Sequence, residues 1–341
     1  MVLMEISNQI ILESKVIDYR SAGVDIDKGD QLVSRIKEML GSAGKGLGHF
    51  GGAIAFPVDK YKHPLMISSI DGVGTKVKIA AAMGKYDTIG SDLVNHSIND
   101  IACCGAEPLA FLDYIAMSSI DVEVAADVIQ GIVNACKKWD ISLAGGENAE
   151  MPGVYKEGEL DLVGSIFGVV EQSKYINGES IKAGDVLIGF PSNGLHTNGY
   201  SLARNVVSAA GKNYDENLPE LGTTIGEALL KVHYCYLGEI RNLLENFETK
   251  GLAHITGGGI PGNVSRIMPK GLSANVDYGC WNEPPIFDLL RKWGQTPEDD
   301  MRSTYNLGIG LIAVFDGGEA EKVLKNFPGN LVQPVRIGVV E

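Results

Sequence analysis

Apolar and polar positions along this chain follow two rhythms, and the switch between them marks out the elements. From about residue 50, "GGAIAFPV" and "PLMISSI" are short apolar runs of strand character. "KVKIAAAMG", continuing past "DTIGSDLVNHSINDIACCG", then changes to the three-to-four spacing of a helix. "PLAFLDYIAM" predicts a strand, "DVEVAADVIQGIVNACKKW" a well-patterned helix, and "ISLAGGENAE" and "DLVGSIFGVVE" two further strands. The polar, turn-rich "QSKYINGESIKAGD" separates two apolar strands and places a domain boundary there. The chain is thereby divided into residues 1–174 and 175–341. The second half alternates in the same way, with strand "VLIGF", a helical pair through "NLLENF", strands "GLAHIT" and "SANVDY", helix "PIFDLLRKW", and strands "LGIGLIAVF" and "VQPVRIGVVE". The expected fold class is α/β (α+β), with two mixed α/β domains. The length of 341 residues agrees, being too long for one ordinary core.

Composition narrows the function. Hydrophobic residues make up 45% and charged residues 21%, the profile of a soluble globular protein. Lys plus Arg number 29 against 43 Asp plus Glu, a formal net charge of -14, and no stretch concentrates basic residues. Nucleic acid and anionic membrane are excluded as partners on that ground. Some of the surplus carboxylates can hold divalent cations, which would let an acidic protein accept an anionic substrate. Cysteines 103, 104, 136, 235 and 280 form no CxxC pair and no metal spacing, as expected of a reduced intracellular protein. Glu5 in "MVLMEISNQIILESK" stands where a signal peptide needs a positive region and an unbroken apolar core. The expected compartment is the cytoplasm.

Three glycine loops compete for attention. "GLGHFG" (46–51) has the dinucleotide spacing but follows a helical segment, "DQLVSRIKEML", instead of a strand. "GGGIPG" (257–262) follows a strand and has Asp277 about twenty residues on, yet carries Pro261 inside the turn and lacks the alternating unit that should surround it. "DGVGTK" (71–76) has its own chemistry. Backbone N–H groups around Gly72 and Gly74 can hold phosphate oxygens, and Thr75 or Lys76 can add a hydroxyl or a charge. Asp71 repels phosphate unless Mg²⁺ sits between them, because that ion takes one or two carboxylates together with phosphate oxygens. The plainer alternative is an Asp cap on the following helix. In "DLVNHSINDIACCG", Asp100 is flanked by apolar residues and needs either a cation or a nearby Lys. Asp92, eight residues earlier, reads as an ordinary solvated helix acid. "SNGLHTNGYSL" sets His196, Thr197 and Asn198 in a loop directly after a strand, where α/β domains present ligand-binding groups. His49, His63, His96, His233 and His254 show no comparable clustering and read as surface or satisfied core. "GGENAEMPG" adds Glu147 and Glu150 in a turn after a strand. With no G-x-S-x-G, no HExxH and no Cys beside a His, a covalent hydrolase is disfavoured.

Taken in order, "YRSAGVDIDKGDQLVSRIK", "DGVGTK", "DTIGSDLVNHSINDIACCGAEPLAFLDY", "GGENAEMPG", "SNGLHTNGYSL", "HITGGGIPGNVSRIMP" and "MRSTYNLGIGL" resemble the phosphoribosylformylglycinamidine cyclo-ligase (aminoimidazole ribonucleotide synthetase) family over some nine-tenths of the chain. Asn148 stands where that family usually has Thr, and about eighteen leading residues have no recognised counterpart. The resemblance implies an N-terminal domain that contributes strands to a dimer-interface barrel, a C-terminal domain that closes the site, and ATP bound without a Walker or Rossmann motif. It implies ATP-dependent ring closure of formylglycinamidine ribonucleotide to 5-aminoimidazole ribonucleotide, a step of purine biosynthesis, by a homodimer whose other partner is that small-molecule substrate. On this resemblance Mg²⁺ is assigned to Asp71 and Asp100. The ATP phosphates go to Gly72, Gly74, Thr75 and Lys76, with Lys37 near the nucleotide. Asn198, Glu147 and His196 are expected at the substrate, His196 stabilising charge at the activated amide. Selenophosphate synthetase, thiamine-monophosphate kinase and formylglycinamidine synthetase share the Asp-led loop. "HTNGYSL" and "GGENAEMPG" favour the cyclo-ligase, and retention of Asp71, Lys76, Asp100 and His196 together argues against a catalytically dead binding subunit.

Overall fold

The computed structural model describes residues 22–41 and 51–341. The first eighteen residues, His49 and all of "GLGHFG" but Gly51 lie outside the described residues.

Helix α1 (Ile26–Leu40) begins on Asp25, whose carboxylate accepts from the N–H of Asp27, a capping arrangement that satisfies an orphan donor of the first turn. It packs on α4 and is tied there by the fork of Arg35 on Glu123. The first sheet comprises β1 (Pro64–Gly72), β2 (Glu107–Met117), β3 (Ser142–Glu150) and β4 (Leu160–Glu171) in the order β1-β4-β2-β3. Between these strands come α2 (Lys76–Met83), α3 (Asp87–Ala102) and α4 (Val122–Trp139). Strands β2 and β3 are parallel, so α4 is the crossover between them, while β4 runs antiparallel to both β1 and β2. Along β4 the buried Leu160, Leu162, Gly164 and Ile166 alternate with half-buried residues, so one face of the sheet meets the helices. Helices α3 and α4 approach closely because each carries a glycine at the crossing: a Cβ on Gly90 would lie 2.0 Å from the Val128 carbonyl, and one on Gly131 2.3 Å from that of Asp87.

In the second half, β5 (Val186–Pro191) is followed by α5 (Tyr200–Ala209), the two-residue strands β6 (Asn217–Leu218) and β7 (Thr223–Thr224), α6 (Ile225–Leu229), α7 (Leu237–Asn246) and β8 (Gly251–His254). Then come α8 (Gly259–Val264), β9 (Ala274–Val276), α9 (Pro285–Gly294), α10 (Glu298–Thr304), β10 (Ile309–Phe315), α11 (Gly317–Asn326) and β11 (Val335–Val340). The second sheet has the order β8-β10-β5-β11-β9. Its central strands β5 and β10 are apolar on both faces: Ile188, Phe190, Leu311 and Ala313 join one core, and Leu187, Ile312 and Val314 another. This is the continuous apolar run of a strand covered on two sides.

Three expectations change. "GGAIAFPV" forms no strand; residues 51–56 are exposed and pair with no strand among the described residues, and Val58–Lys60 is a short 3-10 turn. The helix expected from Lys76 onward is two helices, because Gly84 adopts a left-handed conformation (φ 60°) that caps α2. The helical pair through "NLLENF" is three helices and a small hairpin.

Candidate active site

Strand β1 delivers Asp71 to its C-terminal end, opposite Gly164 of β4. Gly74 then turns the chain with φ +56°, a conformation that favours glycine, and α2 begins at Lys76. Helix α3 supplies His96 and Asp100, one turn apart on the same face. Asp71 Oδ2 lies 2.8 Å from His96 Nε2, and Asp100 Oδ2 lies 3.7 Å from the same nitrogen. Ser69 Oγ donates to Asp100 Oδ2 at 3.1 Å, and His254 Nδ1, from the end of β8, lies 2.8 Å from Asp100 Oδ1. Burial alone would raise the Asp100 carboxyl, but the hydrogen bond and charge of His254, with His96 and Ser69, hold it at about 2. The same contest, won by His96, keeps Asp71 below its ordinary value. Both acids are therefore ionised at neutral pH. They open onto a cleft of about 620 Å³ whose other walls include the linker residues Tyr175 and Asn177, and Asn198, Gly257 and Arg266 from the C-terminal half.

Beneath the cleft the histidines, expected to be scattered, form one assembly. His254 Nε2 lies 3.0 Å from His233 Nε2, and Thr197 Oγ1 bridges His233 Nδ1 (3.2 Å) and His96 Nδ1 (2.7 Å). Four hydrogen bonds thus run from His96 through Thr197, His233 and His254 to Asp100, and the ion-pair contact of His96 Nε2 extends the series to Asp71. Three neutral imidazoles and one hydroxyl supply the four protons that these hydrogen bonds need. A further proton, on His96 Nε2, makes its contact with Asp71 attractive. Burial works against a charged His96, but Asp71 and Asp100 prevail and raise its pKa, whereas burial prevails at His254 and lowers it.

The structure places the other expected residues as follows. Lys76 does not point into the loop it follows. Its ammonium is fully buried, 2.8 and 2.9 Å from the Asp92 carboxylate, and donates to the carbonyls of His196 (3.0 Å) and Lys231 (2.8 Å). Asp92 is accordingly no solvated helix acid; it is fully buried and also accepts from the His233 N–H. Burial pushes Lys76 down and Asp92 up, against the attraction each exerts on the other. Asp100 has no lysine partner among the described residues; its partners are histidines and Ser69. His196, at φ 62°, is 1% exposed and stacks on His233 at 4.0 Å; neither ring nitrogen has a hydrogen-bond partner among the described residues. Burial holds it well below its ordinary pKa, and it does not line the cleft. Asn198 does line it. Thr75 Oγ1 meets Ser201 of the C-terminal half at 3.1 Å. Glu147 lies exposed on the edge strand β3, and Lys37 is exposed on α1; neither lines the cleft. Glu150 is occupied in accepting from the N–H groups of Asp25 and Ile120. His96, His254 and Arg266 do not stand out from the sequence. The i,i+4 spacing of His96 to Asp100 and the position of His254 just before the "TGGG" turn are signals that could have found two of them.

Residues 55–170 match the family model described as AIR synthase related protein, N-terminal domain, and residues 182–341 match the corresponding C-terminal domain. The chain belongs to the AIR synthase related family. Within it, the chain is 46% identical over 333 residues to a phosphoribosylformylglycinamidine cyclo-ligase of Myxococcus xanthus (strain DK1622), an alignment spanning 95% of each chain. It is 44% identical to the chloroplastic/mitochondrial cyclo-ligase of Vigna unguiculata, over 98% of this chain and 84% of the relative. The fold recurs in E. coli HypE, a hydrogenase maturation protein, with TM-score 0.68 at 14% identity over 93% of this chain and 91% of that one. It recurs also in thiamine-monophosphate kinase from Stenotrophomonas maltophilia K279a, with TM-score 0.63 at 17% identity over 91% and 92%. No helix among the described residues is long and apolar enough to cross a membrane.

Proposed function

We propose that this chain is an ATP-dependent cyclo-ligase that closes formylglycinamidine ribonucleotide to 5-aminoimidazole ribonucleotide, releasing ADP and phosphate. The observation that carries the reading is the convergence of Asp71 and Asp100, from different elements, on one cleft between the two halves of the chain. Relatives more than 40% identical over nearly their whole length bear the cyclo-ligase name, which favours it over the kinase that shares the fold.

Two ionised carboxylates, one of them 46% exposed at its side chain, are a hard oxygen donor set of the kind Mg²⁺ accepts. Asp71 and Asp100 are its ligands in this reading, and the ion's contribution is to neutralise charge on the nucleotide phosphates. Gly72, Gly74 and Thr75 present the backbone and hydroxyl donors for those phosphates. In the reaction, the γ-phosphoryl group passes to the amide oxygen of the substrate, and the P–O bond to ADP breaks. The amidine nitrogen then attacks the amide carbon, the C–O bond breaks to expel phosphate, and the nitrogen loses a proton. Phosphorylation converts a poor leaving group into a good one, and attack within one molecule removes the entropy of a second encounter. Asn198 faces the substrate in the cleft. His196, enclosed below, positions the "HTN" turn and does not meet the amide itself.

In the same reading the chain divides near residues 174 and 175 and works as a homodimer in the cytoplasm. Met66 and Ile70 on edge strand β1 are 69% and 71% exposed, an uncovered apolar edge that a second copy would protect. Incubation of the purified protein with ATP, Mg²⁺ and formylglycinamidine ribonucleotide, with aminoimidazole ribonucleotide followed colorimetrically, tests the activity. Absence of product beside an active control enzyme refutes it.

A further inference from the structure

We propose that Arg266 is the anchor for the phosphate monoester of the ribonucleotide substrate, an assignment that rests on the ring-closure reading and adds a residue to it. Seven arginines fall among the described residues. Arg35, Arg241, Arg291, Arg302 and Arg336 are each ion-paired, and Arg204 hydrogen-bonds Tyr214. Arg266 alone has no side-chain partner among the described residues, and it stands on the C-terminal wall of the cleft that holds Asp71 and Asp100. No other Lys or Arg side chain among the described residues lines that cleft.

The substrate carries a phosphate monoester close to two negative charges at neutral pH. The cleft already contains two ionised aspartates on a protein of net charge -14, so binding this group requires a dedicated cation. A guanidinium fork that meets phosphate oxygens in pairs is suited to it. The base of Arg266 is rigid. Asn263, 3% exposed, donates to the carbonyls of Thr256, Gly257 and Gly259 and accepts from Thr256 Oγ1, clamping the glycine turn. Arg266 hangs directly from that clamp, its N–H on the Asn263 carbonyl at 3.2 Å. Gly257 in the same turn approaches Asn198 so closely that a Cβ would lie 3.3 Å from its Oδ1, which links the anchor to the "HTN" loop.

Steady-state kinetics of the wild-type protein, Arg266→Ala and Arg266→Lys test the assignment, with formylglycinamidine ribonucleotide and with its dephosphorylated ribonucleoside. Loss of a charge-assisted pair should raise the ribonucleotide KM in Arg266→Ala by about 10- to 100-fold, with Arg266→Lys in between. The KM for ATP should change little, and the ribonucleoside, which lacks the phosphate, should be turned over with the same kcat/KM by all three proteins. An unchanged ribonucleotide KM in Arg266→Ala overturns the assignment. So does an equal loss of kcat/KM on the ribonucleoside, which would indicate a structural role. A wild-type protein that forms no product overturns the ring-closure reading and this assignment together, a result readily told from the other two.

Discussion

Replacing Lys76 with Met removes a charge from the centre of the molecule, and the structure sets how much that should cost. The ammonium is 0% exposed and meets a carboxylate and two carbonyls; its removal leaves Asp92 buried with only the His233 N–H for compensation. Breaking a buried pair from one side typically costs about 3–5 kcal/mol. Asp92→Leu should lose a comparable amount, because the buried ammonium keeps its charge and loses its counter-ion. The double variant Lys76→Met/Asp92→Leu has no stranded charge. It leaves the His233 N–H and two carbonyls short of partners, at roughly 1–3 kcal/mol for an unsatisfied group. The two single losses should therefore fail to add, with a coupling on the order of 2 kcal/mol or more. The pair also spans the junction, since Lys76 and Asp92 belong to the first half and His196, Lys231 and His233 to the second. Urea unfolding followed through tryptophan fluorescence reads both effects, because Trp139 lies in the first half and Trp281 and Trp293 in the second. The singles should unfold earlier and in two phases. A Lys76→Met protein within about 1 kcal/mol of wild type, or strictly additive losses, would refute the reasoning.

Other consequences can be tested separately. Asp71→Asn and Asp100→Asn should each lower turnover by orders of magnitude with the fold retained in circular dichroism; wild-type activity in either variant removes that residue from the metal site. Asp113 lies buried in β2, and burial pushes its carboxyl up to about 7. Its folded pKa being raised, the native state holds the proton more tightly than the unfolded chain, so stability falls as pH rises from about 4 through 7. The full penalty, on the order of 4 kcal/mol, is present above that window. Asp113→Asn should gain on wild type by roughly that amount between pH 4 and pH 8 in denaturant melts, and a pH-independent difference between the two proteins would contradict it. Gly310→Ala should destabilise by about 1–3 kcal/mol, because the new Cβ would lie 2.2 Å from Tyr236 Oη and 2.6 Å from His196 Cε1; an unaltered melting temperature would show that the wall yields.

Much of the architecture is legible in the pattern of the chain. The period-two run of β4, the twofold-buried β5 and β10 and the amphipathic α4 are local signals, written in residues that neighbour one another. Asp71 and Asp100 are likewise visible, because a carboxylate heading a glycine turn and another amid apolar residues are each anomalous in their own segment. Where local reading misleads, the missing information is a partner. "GGAIAFPV" has strand composition but no ladder among the described residues, and Asp92 has the look of a surface acid until Lys76 is laid against it.

The sequence by itself determined most of the strands and helices and their alternation, and made the two acids stand out, since these depend on spacing within ten or so residues. Only the tertiary structure decided that Lys76 turns inward, that His96, Thr197, His233 and His254 link the two acids, and that Arg266 lines their cleft with no side-chain partner among the described residues. Those facts rest largely on contacts between residues more than a hundred positions apart, as with Thr197 on His96 and His254 on Asp100. Such contacts are set by how the two sheets and their helices pack, and periodicity within a segment carries no record of them.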